Sequence, residues 1–482
     1  MNFNSYSFIL LFLPMVILGY YMLNRISIKA GKIVLIVAGV VFYLQAGINM
    51  ALLLAFSMAF NLLFAKGIYC SKRYRRTLVW VAITCNVGLL FYFKYFDFVA
   101  ENISHLFKFS YTSQNLILPL GISFFTFQQI LYLVNIYRGE INEIDWIDYV
   151  AYILYFPKLL MGPIVEPTEL ISQFNDVSLK KIDWDNISYG IKMFSFGLFK
   201  KMVLADTFAR AVSWGYANFE AVTSMDCFLI MLFYSFEIYF DFSGYSDMAI
   251  GTSLMLNITL PINFDSPYKA TSIRDFWRRW HMSLTGFLTK YIYIPLGGNA
   301  GGVLRTYINT MIVFLISGIW HGANWTFILW GALHGALSVI NRIFDKQQKK
   351  LMETIRWGST FFLVNILWLL FRSDSITQWW DILGIMFSFQ NTAVSEGLIN
   401  SFWLPESDFI NNLFHLEGLN ITIRGLWTLI FVICGYFICL VPANNYRRLQ
   451  KNSYITMVLA AIVFVWGFLC LSSESVFVYF NF

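Results

Sequence analysis

The sequence predicts an all-α, polytopic membrane protein. Three observations carry that prediction. Only 13% of the 482 residues are charged, while 58% are hydrophobic. A soluble domain carries about 25% charged residues, so this chain cannot cover a water-facing surface. Apolar runs recur along the whole length, and many approach the ~20 residues that a spanning helix needs. Basic loops punctuate them in the pattern that fixes orientation in a membrane.

Taken in order, the apolar runs lie near 7–23, 32–47, 49–65, 77–95, 117–136, 187–215, 226–259, 304–320, 323–341, 355–371, 424–442 and 454–471. The first lacks a basic leader and a small-residue cleavage site, so it reads as a retained helix. The stretch 148–165 (DYVAYILYFPKLLMGPIV) carries two prolines and a glycine and reads as a broken or re-entrant segment. The loops RISIKAGK (25–32), KGIYCSKRYRR (66–76), NRIFDKQQKK (341–350) and NYRRLQK (445–451) are basic and belong in the cytoplasm, which leaves the N-terminus outside. Segment 373–423 has no Lys or Arg but carries Asp374, Asp381, Glu396, Glu406, Asp408 and Glu417, so it belongs outside. The net charge of +6 then reflects cytoplasmic loops and does not point to nucleic acid. The six cysteines are scattered without a C-x-x-C pair and read as small buried hydrophobes. No repeat or long linker divides the chain, so residues 1–482 read as one membrane domain.

A charge inside a span costs several kcal/mol, about 2.5–3.5 on insertion scales, unless protein or water surrounds it. Polar residues within apolar runs are therefore informative, and three clusters stand out. In FEIYFDFSGYSDMAIG (236–251), Glu237 and Asp241 share a helical face and Asp247 follows. The run 226–259 is too long for one straight crossing, so a break at DFSGYSD is expected to line a cavity with carboxylates. The plainer reading of each acid taken singly is an ion pair that holds the bundle together. In SIRDFWRRWHMSLTGFLTKYIYIPLGGN (272–299), Arg274, Arg278, Arg279 and Lys290 alternate with aromatic residues. This reads as a basic interfacial helix able to meet an anionic partner, with His281 beside Trp280.

The third cluster is FLISGIWHGANWTFILW (314–330). The run 307–341 would reach about 52 Å as one helix, close to two crossings, so WHGAN marks a turn between them. Gly322 lets another group approach the imidazole of His321, and Asn324 can hold that ring or donate to a reacting carbonyl. A satisfied structural histidine is the bland alternative. A general base uses the position best, because imidazole titrates near 6.5 and desolvation favours its neutral form. His321, His281, Asp241 and Asp247 are ligand types, but no metal-site spacing joins them, so no metal is expected.

The motifs NFDSPYKATSIRDFWRRWHMSLTGFLTKYIYIPLGGN (263–299) and FLISGIWHGANWTFILWGALHG (314–335) resemble the membrane-bound O-acyltransferase (MBOAT) family. FTFQQILYLVNIYRGE (125–140), YFPKLLMGPI (155–164) and YFDFSGYSDMAIG (239–251) fit the same pattern. The chain is similar to the bacterial branch with alginate O-acetylase, peptidoglycan O-acetyltransferase and the D-alanyl-transfer protein of teichoic acids. The motif core covers about 115–340, with 341–482 as a helical extension of the alginate-acetylase type. The resemblance implies a ring of about 11–13 transmembrane helices around a thin core, with re-entrant segments and a central tunnel. It implies multi-pass residence in the bacterial cytoplasmic membrane.

The resemblance also implies acyl transfer from a cytoplasmic thioester, acetyl-CoA or an acyl carrier protein, toward an exported glycan or an extracytoplasmic acetyltransferase partner. The family's W-H-G histidine falls on His321, after Trp320, and its R-R-W-H histidine falls on His281. Two departures from relatives stand out. Glu166 follows MGPI where relatives often carry a base, and AGG follows GGN without the usual basic residues. Donor phosphates would then depend on Arg274, Arg278 and Arg279. D-Alanyl transfer to teichoic acid is the alternative within the family. A transporter with Asp241, Asp247 and His321 as a proton relay is the alternative outside it.

Overall fold

A computed structural model describes residues 2–404, 420–451, 453–472 and 477. The described chain is helical throughout, with no strand. Among the described residues, six helices are long and apolar enough to cross a membrane. They are Ile48–Cys70, Arg75–Lys94, Ser224–Leu254, Gly302–His321, Glu353–Arg372 and Tyr454–Ser472. Phe8–Asn24 and Arg424–Leu440 are shorter apolar helices. Other apolar runs fold as shorter pieces such as Ile28–Leu44 and Ile122–Arg138. The outer segment expected at 373–423 begins with the helix Ile376–Ser388, but its acids Glu406, Asp408 and Glu417 fall outside the described residues.

Burial separates two kinds of span. Only 28% of the apolar window of Ile48–Cys70 and 22% of that of Arg75–Lys94 is buried, against 83% for Ser224–Leu254. Leu52, Phe56, Leu63 and Trp80 stand exposed on the first two, a face suited to lipid chains. Ser224–Leu254 is a core helix. Here the structure corrects the sequence reading, because no break occurs at DFSGYSD and the helix runs through it. A helix sheathed in protein need not match the ~30 Å of hydrocarbon, so its length required no interruption. A second correction concerns 272–299. It is not one basic helix but two short ones, Ile273–Arg279 and Met282–Leu288, followed by a π-helical turn at Thr289–Tyr293. The cysteines are free, but Cys70, Cys85 and Cys434 are exposed, and Cys227 and Cys439 are buried as expected.

The chain divides into two compact units. The first comprises residues 1–197, 245–262 and 449–463. Its helices are tied by neutral polar groups, which in a dry environment must find partners. Gln129 Oε1 accepts from Ser57 Oγ at 2.8 Å and Asn61 Nδ2 at 2.6 Å, and Asn86 closes the set with Asn61. Lys32 pairs with Asp148. The segment 148–165 is broken as its prolines predict, into Trp146–Leu154 and Phe156–Leu159.

The second unit comprises residues 198–244, 263–448 and 464–482. Its core is aromatic, with Trp280, Trp330 and Trp368 among its largest buried side chains. A π-helical turn at Lys200–Ala205 carries Lys201, whose Nζ lies 2.7 Å from Asp241 and 2.8 Å from Asp206. Lys201 and Asp241 are fully buried, so each needs the other. This unit also holds the two histidine motifs.

Candidate active site

The apolar run 307–341 folds as a helical hairpin, Gly302–His321 and Trp325–Ile343. Small residues bring the two helices together. A Cβ on Gly318 would collide with the Phe327 carbonyl oxygen and reach Gly331 Cα at 3.1 Å. Backbones approach this closely only where side chains are absent. His321 ends the first helix and Asn324 caps the second. Gly322 is required because the Phe327 ring occupies the space its side chain would take.

His321 is buried in an aromatic collar. Its ring lies 4.9 Å from Trp320, 5.2 Å from Trp330 and 5.1 Å from Phe371, all edge-on. Edge-to-face packing of this kind fixes a ring plane. His281 sits at the joint between the two short helices, in the left-handed region at φ +44°. The joint is clamped by Asn263, whose Oδ1 accepts from Ser283 Oγ at 2.6 Å and whose carbonyl accepts from Met282 N at 3.0 Å. His281 is 1% exposed, and neither ring nitrogen has a hydrogen-bond partner among the described residues. It packs edge-on to Phe242 at 4.7 Å and lies 6.2 Å from Trp320. Burial pushes its pKa down to about 3, which keeps the ring neutral.

Both histidines line one cavity of about 360 Å³. Gly302–His321 contributes the stripe Thr310, Phe314, Ser317 and His321, spaced as one helical face. Arg274, Arg278 and Arg342 also line it, and no carboxylate among the described residues does. Arg278 is exposed, Arg274 and Arg342 are half-buried, and His281 and His321 are buried, so the lining grades from arginine at the solvent to imidazole in depth. Arg342 is held by Asn299, whose Oδ1 accepts from its Nη2 at 3.2 Å. Two imidazoles and three arginines on one lining suit an anionic ligand.

The structure thus gathers His281, His321, Arg274 and Arg278, and it separates the other sequence candidates. Arg279 is committed to Asp275 at 3.0 Å and to the Asp265 carbonyl at 3.2 Å, off the cavity. Asn324 spends its oxygen on Thr326 N at 3.1 Å and one amide N–H on the Asp374 carbonyl at 3.0 Å, and it does not line the cavity. Trp320 packs against His321 without lining the cavity. Asp241 is paired with Lys201, and neither it nor Asp247 lines the cavity, so the proton relay is not assembled there. Arg342 and Ser317 were not singled out from the sequence. Helical spacing from His321 could have found Ser317, four residues before it.

The model of the membrane-bound O-acyltransferase family matches residues 77–374, which contain both histidines and the whole cavity. The chain belongs to this family. As an MBOAT protein it is a multi-pass membrane O-acyltransferase and uses an acyl donor. It is 36% identical to a peptidoglycan O-acetyltransferase of Helicobacter pylori, over 100% of this chain and 97% of that protein. It is 37% identical to the probable alginate O-acetylase AlgI of Pseudomonas aeruginosa, over 82% of this chain and 76% of that protein. A teichoic acid D-alanyltransferase of Bacillus subtilis is 26% identical, over 59% of this chain and 73% of that protein.

Proposed function

We propose that this MBOAT protein moves an acetyl group from cytoplasmic acetyl-CoA to hydroxyls of peptidoglycan or another exported glycan, directly or through an extracytoplasmic partner acetyltransferase. Similarity over the full chain to an O-acetyltransferase, against a shorter and weaker match to a D-alanyltransferase, supports acetyl as the group. The observation that carries the reading is the single cavity shared by His281, His321 and three arginines.

His321 acts as general base. Its imidazole takes the proton of the acceptor hydroxyl, and the resulting alkoxide adds to the thioester carbonyl. The C–S bond then breaks, and the imidazolium returns its proton to the departing thiolate, leaving an ester and a free thiol. Arg274, Arg278 and Arg342 hold the donor's phosphates, a role guanidinium groups serve well. His281, neutral and with both nitrogens open, offers one donor and one acceptor to the amide groups of the donor's arm. The arginine mouth faces the cytoplasm, and the cavity forms the inner part of a tunnel within a ring of helices.

Purified protein in nanodiscs, given acetyl-CoA and a glycan fragment, tests this. His321→Ala is expected to lose transfer by ~10²–10⁴-fold, the usual contribution of a positioned base. Wild-type transfer by that variant, at equal folded protein, overturns the assignment.

A further inference from the structure

A third imidazole lies behind the cavity. His334 is fully buried in the Trp325–Ile343 helix, and it does not line the cavity. Its Nδ1 accepts from the indole N–H of Trp277 at 3.3 Å. That nitrogen therefore carries no proton, and the neutral ring carries its proton on Nε2. Trp277 does line the cavity, and its ring stands perpendicular to His334 at 5.0 Å. Trp330 then lies between two histidines, 4.7 Å from His334 and 5.2 Å from His321, and packs edge-on to Trp277 at 5.5 Å. Deprived of its acceptor, the buried indole N–H of Trp277 would be drawn toward polar groups. Trp277 would leave its place in the wall, and Trp330 would lose its support beside His321.

We propose that His334 is a positioning residue for acyl transfer, holding Trp277 as the cavity wall and, through Trp330, the ring plane of His321. This rests on the general-base reading of His321. A side chain that merely filled space would be replaced best by another ring of similar size. A side chain that works as an acceptor would be replaced best by one that keeps an acceptor at the Nδ1 position. His334→Phe keeps the ring and removes the acceptor, whereas His334→Asn keeps the acceptor and removes the ring.

The two variants are compared with wild type and His321→Ala in nanodiscs, with acetyl-CoA as donor, as kcat per folded molecule. The expected result is a fall of ~10- to 100-fold for His334→Phe, the size of effect that misplacement of a reacting group produces, with His334→Asn clearly faster than His334→Phe. In a Trp277→Phe background, where no indole proton exists, His334→Phe should cost nothing further. That comparison decides the matter even where one single variant folds poorly. Wild-type kcat for His334→Phe, or His334→Phe faster than His334→Asn, overturns the proposal while leaving the base assignment standing if His321→Ala is inactive. An active His321→Ala overturns the base reading itself, and the proposal with it.

Discussion

Two polar sites interrupt apolar sequence in the second unit, and they are built differently. Around Lys201 the cation meets carboxylates at 2.7 and 2.8 Å, inside the core. Around His321 the neighbours are aromatic rings, and the adjoining cavity presents three arginines and, among the described residues, no carboxylate. The first site holds its own counter-charges, one ammonium between two carboxylates. On the proposed function, an anionic ligand completes the second. Apolar context alone does not tell a structural charge from a functional one; the presence of a buried counter-charge does.

Substitutions can break or sharpen this contrast. The largest effect belongs to His321→Ala, which should remove transfer by ~10²–10⁴-fold with little change in unfolding temperature; acetyl release from acetyl-CoA measures the first and a thermal melt the second. Lys201→Met should do the reverse. It strands two carboxylates and should cost about 3–5 kcal/mol of stability, seen as a lower unfolding temperature and yield. Lys201→Met combined with Asp241→Asn should recover part of that loss, and an unchanged melt for the single variant would remove the structural role. Arg342→Ala should raise the KM for acetyl-CoA by roughly tenfold, about 1.4 kcal/mol, with kcat largely kept, while Arg279→Ala should leave KM alone. Equal effects of the two would erase the distinction between cavity-lining and salt-bridged arginines. Asn324→Ala should be mildest. Loss of a helix cap costs about 1 kcal/mol, and activity per folded molecule should stay near wild type; a collapse of kcat would return Asn324 to the chemistry.

The helical hairpin around His321 was legible in the sequence. Two adjacent apolar runs met at glycine and asparagine, and Asn324 stands where a capping residue belongs. The broken segment near Pro157 was legible for the same local reason. The continuity of Ser224–Leu254 was not, because a helix buried in protein escapes the length rule that lipid imposes. The place of Arg279 off the cavity follows from register, since Asp275 four residues earlier is its intrahelical partner. The bond between Trp277 and His334 joins residues 57 apart, and no local pattern announces it. The break at His281 depends on Asn263, which lies in the preceding loop and binds Ser283 from there. Local chemistry could thus be read from the chain, whereas partners brought together by packing could not.

The most direct test of the account is an experimental structure of the protein in nanodiscs with a thioether analogue of acetyl-CoA, which cannot transfer its acyl group. The analogue's phosphates should lie against Arg274, Arg278 and Arg342, and its sulfur and acyl carbon in the cavity between His281 and His321. An analogue bound elsewhere, with His321 remote from its acyl carbon, would contradict it.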